Sequence, residues 1–161
     1  RRAARGHPRP RHAAHFVGSS RALERAAARG GRPRREVRAA CAKFVDAGLP
    51  MISQTVLLKG INDDPAVLGE LMRAFVETRI KPYYLHQGDL APGTGHLRTS
   101  VAEGRAVMRE MRGRFSGLCQ PTYVLDIPDG HGKVPIGPDY LAQDQQVEDP
   151  NGVSHPYPPR R

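Results

Sequence analysis

Lys133 is the residue of this chain best placed for covalent chemistry. It stands in Asp126-Ile-Pro-Asp-Gly-His-Gly-Lys133-Val-Pro-Ile136, after the β-branched and aromatic run of residues 121–127. That run reads as a buried strand. Pro128 ends it, because proline cannot continue a ladder. A tight turn follows, with Gly130 and Gly132 free to take positive φ. Lys133 leaves that turn with Pro135 close behind, and an amine held by rigid turn chemistry just past a strand end suits Schiff-base formation with a carbonyl. The alternative at this point is an ordinary solvated lysine in a Gly/Pro loop. A phosphate loop is excluded. That pattern needs a glycine where Ile127 stands and Ser or Thr where Val134 stands.

Two carboxylates share the placement of Lys133. Asp89 lies just past the strand expected over 80–86, and Asp126 lies at the end of the strand over 121–127. A lone loop aspartate is usually a turn former or cap. An amine and two carboxylates at the carboxyl ends of strands in an α/β fold stand where ligands bind. Gln54 interrupts an apolar strand over 51–58 and must find a hydrogen-bond partner; a structural role and a ligand-facing role remain open.

The elements that position these residues alternate. Val37, Ala40, Cys41, Phe44 and Val45 recur at helical spacing, and Gly48 and Pro50 stop that helix. After the strand at 51–58, Asp64 fits an N-cap with Pro65 at the first helical position, and Val67, Leu68, Leu71, Met72, Phe75 and Val76 form the apolar face. In the strand over 80–86, Pro82 pushes the true start beyond itself. A long loop, 87–98, leads to a capping box, Ser100 to Glu103, that opens a helix reaching about Arg112. Strand, helix, strand, helix, strand predicts an α/β fold with parallel pairing.

Charge divides the chain. The formal net charge is +9, yet residues 1–35 carry eleven arginines against one acid, and the remainder carries fourteen Lys/Arg against fifteen Asp/Glu. Beyond the first segment no basic face interleaves with aromatics, which argues against nucleic acid as a partner. Residues 1–35 read either as a disordered basic tail with a short helix near 20–28 or as coding sequence read out of frame. Residues 36–141 form the ordered part, and 142–161 read as a flexible polar, Pro-rich tail. Two cysteines, Cys41 and Cys119, make neither a disulfide framework nor a zinc pattern and suit a reducing cytoplasm. No run of eighteen apolar residues occurs, which excludes a membrane helix, and no signal peptide is visible.

The same residues resemble the lysine 2,3-aminomutase family of radical S-adenosylmethionine enzymes. The likeness lies in Ser53-Gln-Thr-Val-Leu-Leu-Lys-Gly-Ile-Asn-Asp63, Lys81-Pro-Tyr-Tyr-Leu-His-Gln-Gly-Asp-Leu90, Gly95-His-Leu-Arg-Thr99, Arg112-Gly, Ser116-Gly, Pro121-Thr-Tyr-Val-Leu-Asp-Ile-Pro128 and Gly132-Lys-Val-Pro135. It runs from about Val37 to Leu141 and covers the carboxyl-terminal part of a typical member, so a fragment is expected. It implies the late strands of an open β/α barrel of the TIM type with a carboxyl-terminal extension. It implies that Lys133 bonds pyridoxal phosphate, that Gln54 and His86 lie beside that cofactor, and that Asp89 and Asp126 grip the distal ammonium of a lysine substrate. The implied reaction moves an amino group from Cα to Cβ, using S-adenosylmethionine and a [4Fe-4S] cluster. A homo-oligomer and a link to elongation factor P modification belong to the same expectation.

Departures from the family pattern matter. His86 stands where the best-known aminomutases have tyrosine, as in the branch acting with elongation factor P. Asp129 and His131 break the glycine run before Lys133. Asp64 replaces a zinc-binding cysteine of some members, so no metal site is carried over. No Cys-x₃-Cys-x₂-Cys occurs, and a cluster needs three thiolates. Three readings follow: a partial aminomutase that is inactive alone, a non-catalytic remnant that binds pyridoxal phosphate or an amino acid, or a basic-tailed interaction module.

Overall fold

The computed structural model describes residues 14–15, 35–142 and 146–157. Its elements are β1 (Ala14–His15), α1 (Arg35–Asp46), β2 (Met51–Val56), α2 (Pro65–Glu77), β3 (Lys81–His86), α3 (Val101–Arg114), β4 (Thr122–Ile127), β5 (Gly132–Pro135), β6 (Leu141–Ala142), β7 (Gln146–Glu148) and β8 (Ser154–Pro156). The first five strands form one sheet in the order β1-β2-β3-β4-β5. Strands β1 to β4 pair in parallel, and β5 returns antiparallel to β4. The architecture is therefore mixed α/β around a parallel sheet. Apart from β1 and Arg35, the expectations for residues 1–35, the helix near 20–28 included, lie outside the described residues.

Local chemistry sets the helix starts. Asp64 caps α2 by accepting from the amides of Ala66 at 2.8 Å and Val67 at 3.1 Å, with Pro65 at the first helical position. Ser100 and Glu103 close the expected capping box on α3. Those hydrogen bonds, with Lys59 nearby, hold the Glu103 carboxyl down at about 2. Pro82 lies inside β3 rather than before it. The register slips there, passing from Ser53 opposite Pro82 to Gln54 opposite Tyr84. A residue without an N–H cannot extend the ladder, and a bulge absorbs the mismatch.

Helices α2 and α3 pack into a common core with one face of the sheet. Leu68, Leu71, Met72 and Phe75 of α2 and Val107, Met108 and Met111 of α3 meet Met51, Leu57, Leu85 and Tyr123. Alternation along the strands leaves the other face to Gln54, Tyr84, His86, Val124, Asp126 and Lys133. The helices thus stabilise one side while the other is left for chemistry.

The segment read as a flexible tail is partly ordered. β6, β7 and β8 form a second, antiparallel sheet. Asp149-Pro150-Asn151-Gly152 turns β7 into β8, with the Asp149 carboxylate accepting from the amides of Asn151 at 2.8 Å and Val153 at 3.0 Å and Gly152 at φ +83°. This sheet docks on α3 through an ion pair from Arg109 to Glu148, and the Arg109 guanidinium lies 5.1 Å from the Tyr140 ring centre. Polar and Pro-rich composition had concealed a hairpin whose turn residues carried the signal.

One contact between helix and sheet admits only glycine. A Cβ on Gly104 of α3 would lie 2.0 Å from the hydroxyl oxygen of Tyr123. That hydroxyl donates to Oε1 of buried Gln87, whose Nε2 donates to the Thr99 carbonyl at 2.6 Å. Burial pushes the phenol up to about 12, so it remains a donor at neutral pH. Gly104→Ala should therefore cost about 1–3 kcal/mol through overpacking, read as a lower urea midpoint at unchanged slope. Tyr123→Phe should cost about 1–3 kcal/mol by orphaning Gln87 Oε1. In the double variant the overpacking should persist, because the Tyr123 ring carbons Cζ and Cε1 would still lie 2.5 Å and 2.9 Å from the added Cβ.

Candidate functional site

The site is built where β5 folds back on β4. Pro128–Gly130 forms a 3₁₀ turn, with Asp129 at φ +63°, Gly130 at +80° and Gly132 at +103°. Both glycines take the left-handed conformations expected of them. Lys133 does not lie in a free loop. It is the second residue of β5 and stands opposite Asp126 in the antiparallel register. Residues opposite one another in a ladder share a face, so amine and carboxylate meet without a special loop.

The Lys133 ammonium donates to both Asp126 oxygens, with Nζ 2.6 Å from Oδ2. His86, at the carboxyl end of β3, completes a triangle. Its Nδ1 lies 3.1 Å from Asp126 Oδ2 and 3.2 Å from Lys133 Nζ. Tyr84 enters from two residues earlier on the same strand. Its ring centre is 5.5 Å from Lys133 Nζ, and it meets the His86 ring edge-on at 5.8 Å. The hydrogen bond shared with the Tyr83 hydroxyl is the chief cause that raises the Tyr84 phenol, keeping it neutral beside the ammonium. The side chains of His86, Lys133 and Asp126 are 16%, 30% and 43% exposed, so the cluster is open to solvent on the face away from the helices.

The other sequence-predicted residues stand apart from that triangle. Gln54 on β2 is in register with Tyr84, on the same open face. Asp89 is exposed in the loop after β3, and its main-chain carbonyl accepts from Arg98 Nε at 3.0 Å and Nη2 at 2.7 Å. The Tyr83-Tyr84 pair was not singled out by the sequence. Its signal was parity, since Tyr84 and His86 are two apart on one strand. A hollow of about 310 Å³, lined by Met108, Arg112, Gln120, Pro121 and Pro138 among others, opens at the amino end of β4 and not at Lys133.

Comparison with known proteins bears on this geometry. A family model described as Lysine-2,3-aminomutase matches residues 108–149, which include Asp126 and Lys133. The L-lysine 2,3-aminomutase of Clostridium subterminale is 45% identical over 102 residues, 63% of this chain and 24% of that protein. Over the matched stretch, the chain is similar to the lysine 2,3-aminomutase family. The L-lysine 2,3-aminomutase of Bacillus subtilis is 43% identical over 102 residues, 63% of this chain and 22% of that protein. The glutamate 2,3-aminomutase of Clostridioides difficile is 43% identical over 107 residues, 66% of this chain and 25% of that protein. The chain thus spans about a quarter of the length of these curated relatives. Among the described residues, no helix is long and apolar enough to cross a membrane.

The ion pair has a pH signature. The Lys133 hydrogen bond, with help from His86 against some desolvation, holds the Asp126 carboxyl below its ordinary value of 3.8. A carboxyl depressed in the folded state adds stability above its unfolded value and loses it as pH falls through the folded one. The Asp126 carboxyl carbon followed by NMR should therefore titrate below 3.8. Lys133→Met should move that midpoint upward, and an unchanged midpoint would show that Lys133 does not hold the carboxylate.

Proposed function

We infer that this chain supplies the carbonyl-bonding lysine and an ammonium-binding carboxylate of an aminomutase that moves an amino group from Cα to Cβ of lysine. The observation that carries the reading is the Asp126–Lys133 pairing, an amine and a carboxylate on one open sheet face within a stretch 45% identical to a lysine 2,3-aminomutase. Consecutive strand order, with α2 and α3 in one core, suits a portion of a β/α barrel.

The residues present fit pyridoxal phosphate. Lys133 is a solvent-accessible primary amine on the open face, with His86 and Tyr84 beside it and Gln54 in register with Tyr84 on the same face. When bound, that cofactor supplies an electron sink next to the amino acid's reacting carbons. Lys133 would hold it and Asp126 would face the substrate. A [4Fe-4S] cluster does not fit the residues of this chain. Its two cysteines are buried, and burial pushes both thiols up, away from the thiolate that iron requires. These 161 residues alone should therefore not form β-lysine.

Chemistry favours lysine over glutamate as substrate, because an aspartate at the far end attracts an ammonium and repels a carboxylate. Asp126 and Asp89 would share that ammonium. Asp126 is half exposed, so the loss on Asp126→Asn should resemble that of a surface pair, about 1 kcal/mol or roughly fivefold in lysine affinity. Equal affinity in wild type, Asp126→Asn and Asp89→Asn would count against the grip. For the lysine itself, pyridoxal phosphate and borohydride should leave a reduced adduct on the peptide carrying Lys133. An adduct on Lys43, Lys59 or Lys81 with Lys133 free would sink the assignment.

A further inference from the structure

The position of His86 Nδ1 poses a problem of hydrogen-bond polarity. One ring nitrogen lies 3.1 Å from a carboxylate oxygen, which only accepts, and 3.2 Å from an ammonium, which only donates. Nδ1 carries either a hydrogen or a lone pair, so it cannot bond to both while Lys133 is charged and Asp126 ionised. With its lone pair exposed, Nδ1 accepts from the Lys133 ammonium. With a hydrogen, it donates to Asp126 Oδ2 and faces a neutral amine. The two arrangements differ by one proton between Nζ and Nδ1 and need no movement of either strand. Nε2 is buried without a hydrogen-bond partner among the described residues, so the exchange runs through Nδ1.

We propose that His86 is the proton acceptor that turns the Lys133 ammonium into a nucleophile. This rests on the reading of Lys133 as a carbonyl-bonding amine. The need for an acceptor comes from Asp126. The carboxylate holds the ammonium through both oxygens, and a protonated amine has no electron pair with which to attack. Transfer to His86 leaves the positive charge beside the same carboxylate, since Nδ1 also lies on Oδ2. The cation moves along Asp126 instead of leaving it. Among the described residues, the charged and titratable groups in contact with the ring are Tyr84 on its own strand, Asp126 on β4 and Lys133 on β5.

The step balances. A Lys133 N–H bond breaks, its electron pair stays on nitrogen, and the proton joins the Nδ1 lone pair. The amine then adds to an aldehyde carbon, and a second amine proton passes to the former carbonyl oxygen. The proton held by His86 joins that oxygen, which departs as water, and a protonated carbon–nitrogen double bond remains with His86 neutral again.

The test uses the whole chain and acetic anhydride at neutral pH, with no cofactor present. Acetylation rates of Lys133 are read peptide by peptide against Lys43, Lys59 and Lys81 as internal references. In His86→Ala, Lys133 should slow roughly 100-fold, the lower end of what positioned acid–base groups contribute, while the reference lysines keep their rates and so report an intact fold. Imidazole added to the buffer should restore part of the lost Lys133 rate. His86→Gln keeps most of the side-chain volume without a comparable base, so it should be as slow as the alanine variant and answers the case in which His86→Ala unfolds. A Lys133 rate unchanged in both variants would overturn the proposal. A slower rate that imidazole leaves untouched would overturn it too, marking His86 as a packing residue. Because the electrophile is an anhydride, these outcomes are independent of whether pyridoxal phosphate binds at Lys133.

Discussion

Asp126 and Lys133 meet because the chain reverses within residues 128–132, and that reversal is the constraint on which the site depends. Three of those residues adopt positive φ, and Asp129 does so as a residue with a side chain. A non-glycine residue at positive φ is uncommon, though aspartate tolerates it better than most. In return the ladder opposes Val124 to Pro135, Leu125 to Val134 and Asp126 to Lys133. A one-residue slip would turn Lys133 to the helix side and leave Asp126 facing a backbone with no amine. Register does the work here that a dedicated loop does in other sites.

The division of the sheet into two faces explains how so short a stretch can hold an open polar cluster. The helix side carries the stabilising burial. Leu57, Leu68, Met72, Leu85 and Met111 are fully enclosed there, and Tyr123 adds a large ring fixed by Gln87. Each such side chain contributes on the order of 2 kcal/mol on burial. The open face is freed from that task and can keep an ammonium, a carboxylate and an imidazole within about 3 Å of one another. The Gln87 network also ties the two faces together. Gln87 immediately follows His86, so the hydrogen bonds that anchor its side chain between Tyr123 and Thr99 fix the end of β3 from which His86 projects.

Much of this was legible in the sequence, and the exceptions have physical reasons. The capping residues Asp64 and Ser100 and the positive-φ glycines could be read because they act through neighbours a few residues away. Lys133, Asp126 and His86 were each singled out. Their triangle was not, because it depends on register across β3, β4 and β5, a non-local quantity. Lys133 was expected at a turn exit and lies in a strand for the same reason. The segment after Ala142 misled through composition, since Pro, Gln and Asp outweighed the Asp-Pro-Asn-Gly turn that pairs β7 with β8. Tyr84 was overlooked because an aromatic inside a strand reads as core until the covered face is known.

Histidine at position 86 fits this division. A tyrosine there, as the resemblance implies for other members, would bring a hydroxyl to the open face. A hydroxyl stays protonated near neutral pH and can bridge an amine and a carboxylate as donor and acceptor at once. Imidazole offers only one nitrogen to the same pair, because Nε2 is turned into the protein. Where a hydroxyl would be a static bridge, His86 is a group that must choose between its neighbours. Asp126 then has to serve whichever of Lys133 and His86 carries the charge, which accounts for its contacts with both. In this chain the carboxylate is the fixed point of the cluster and the proton is its variable.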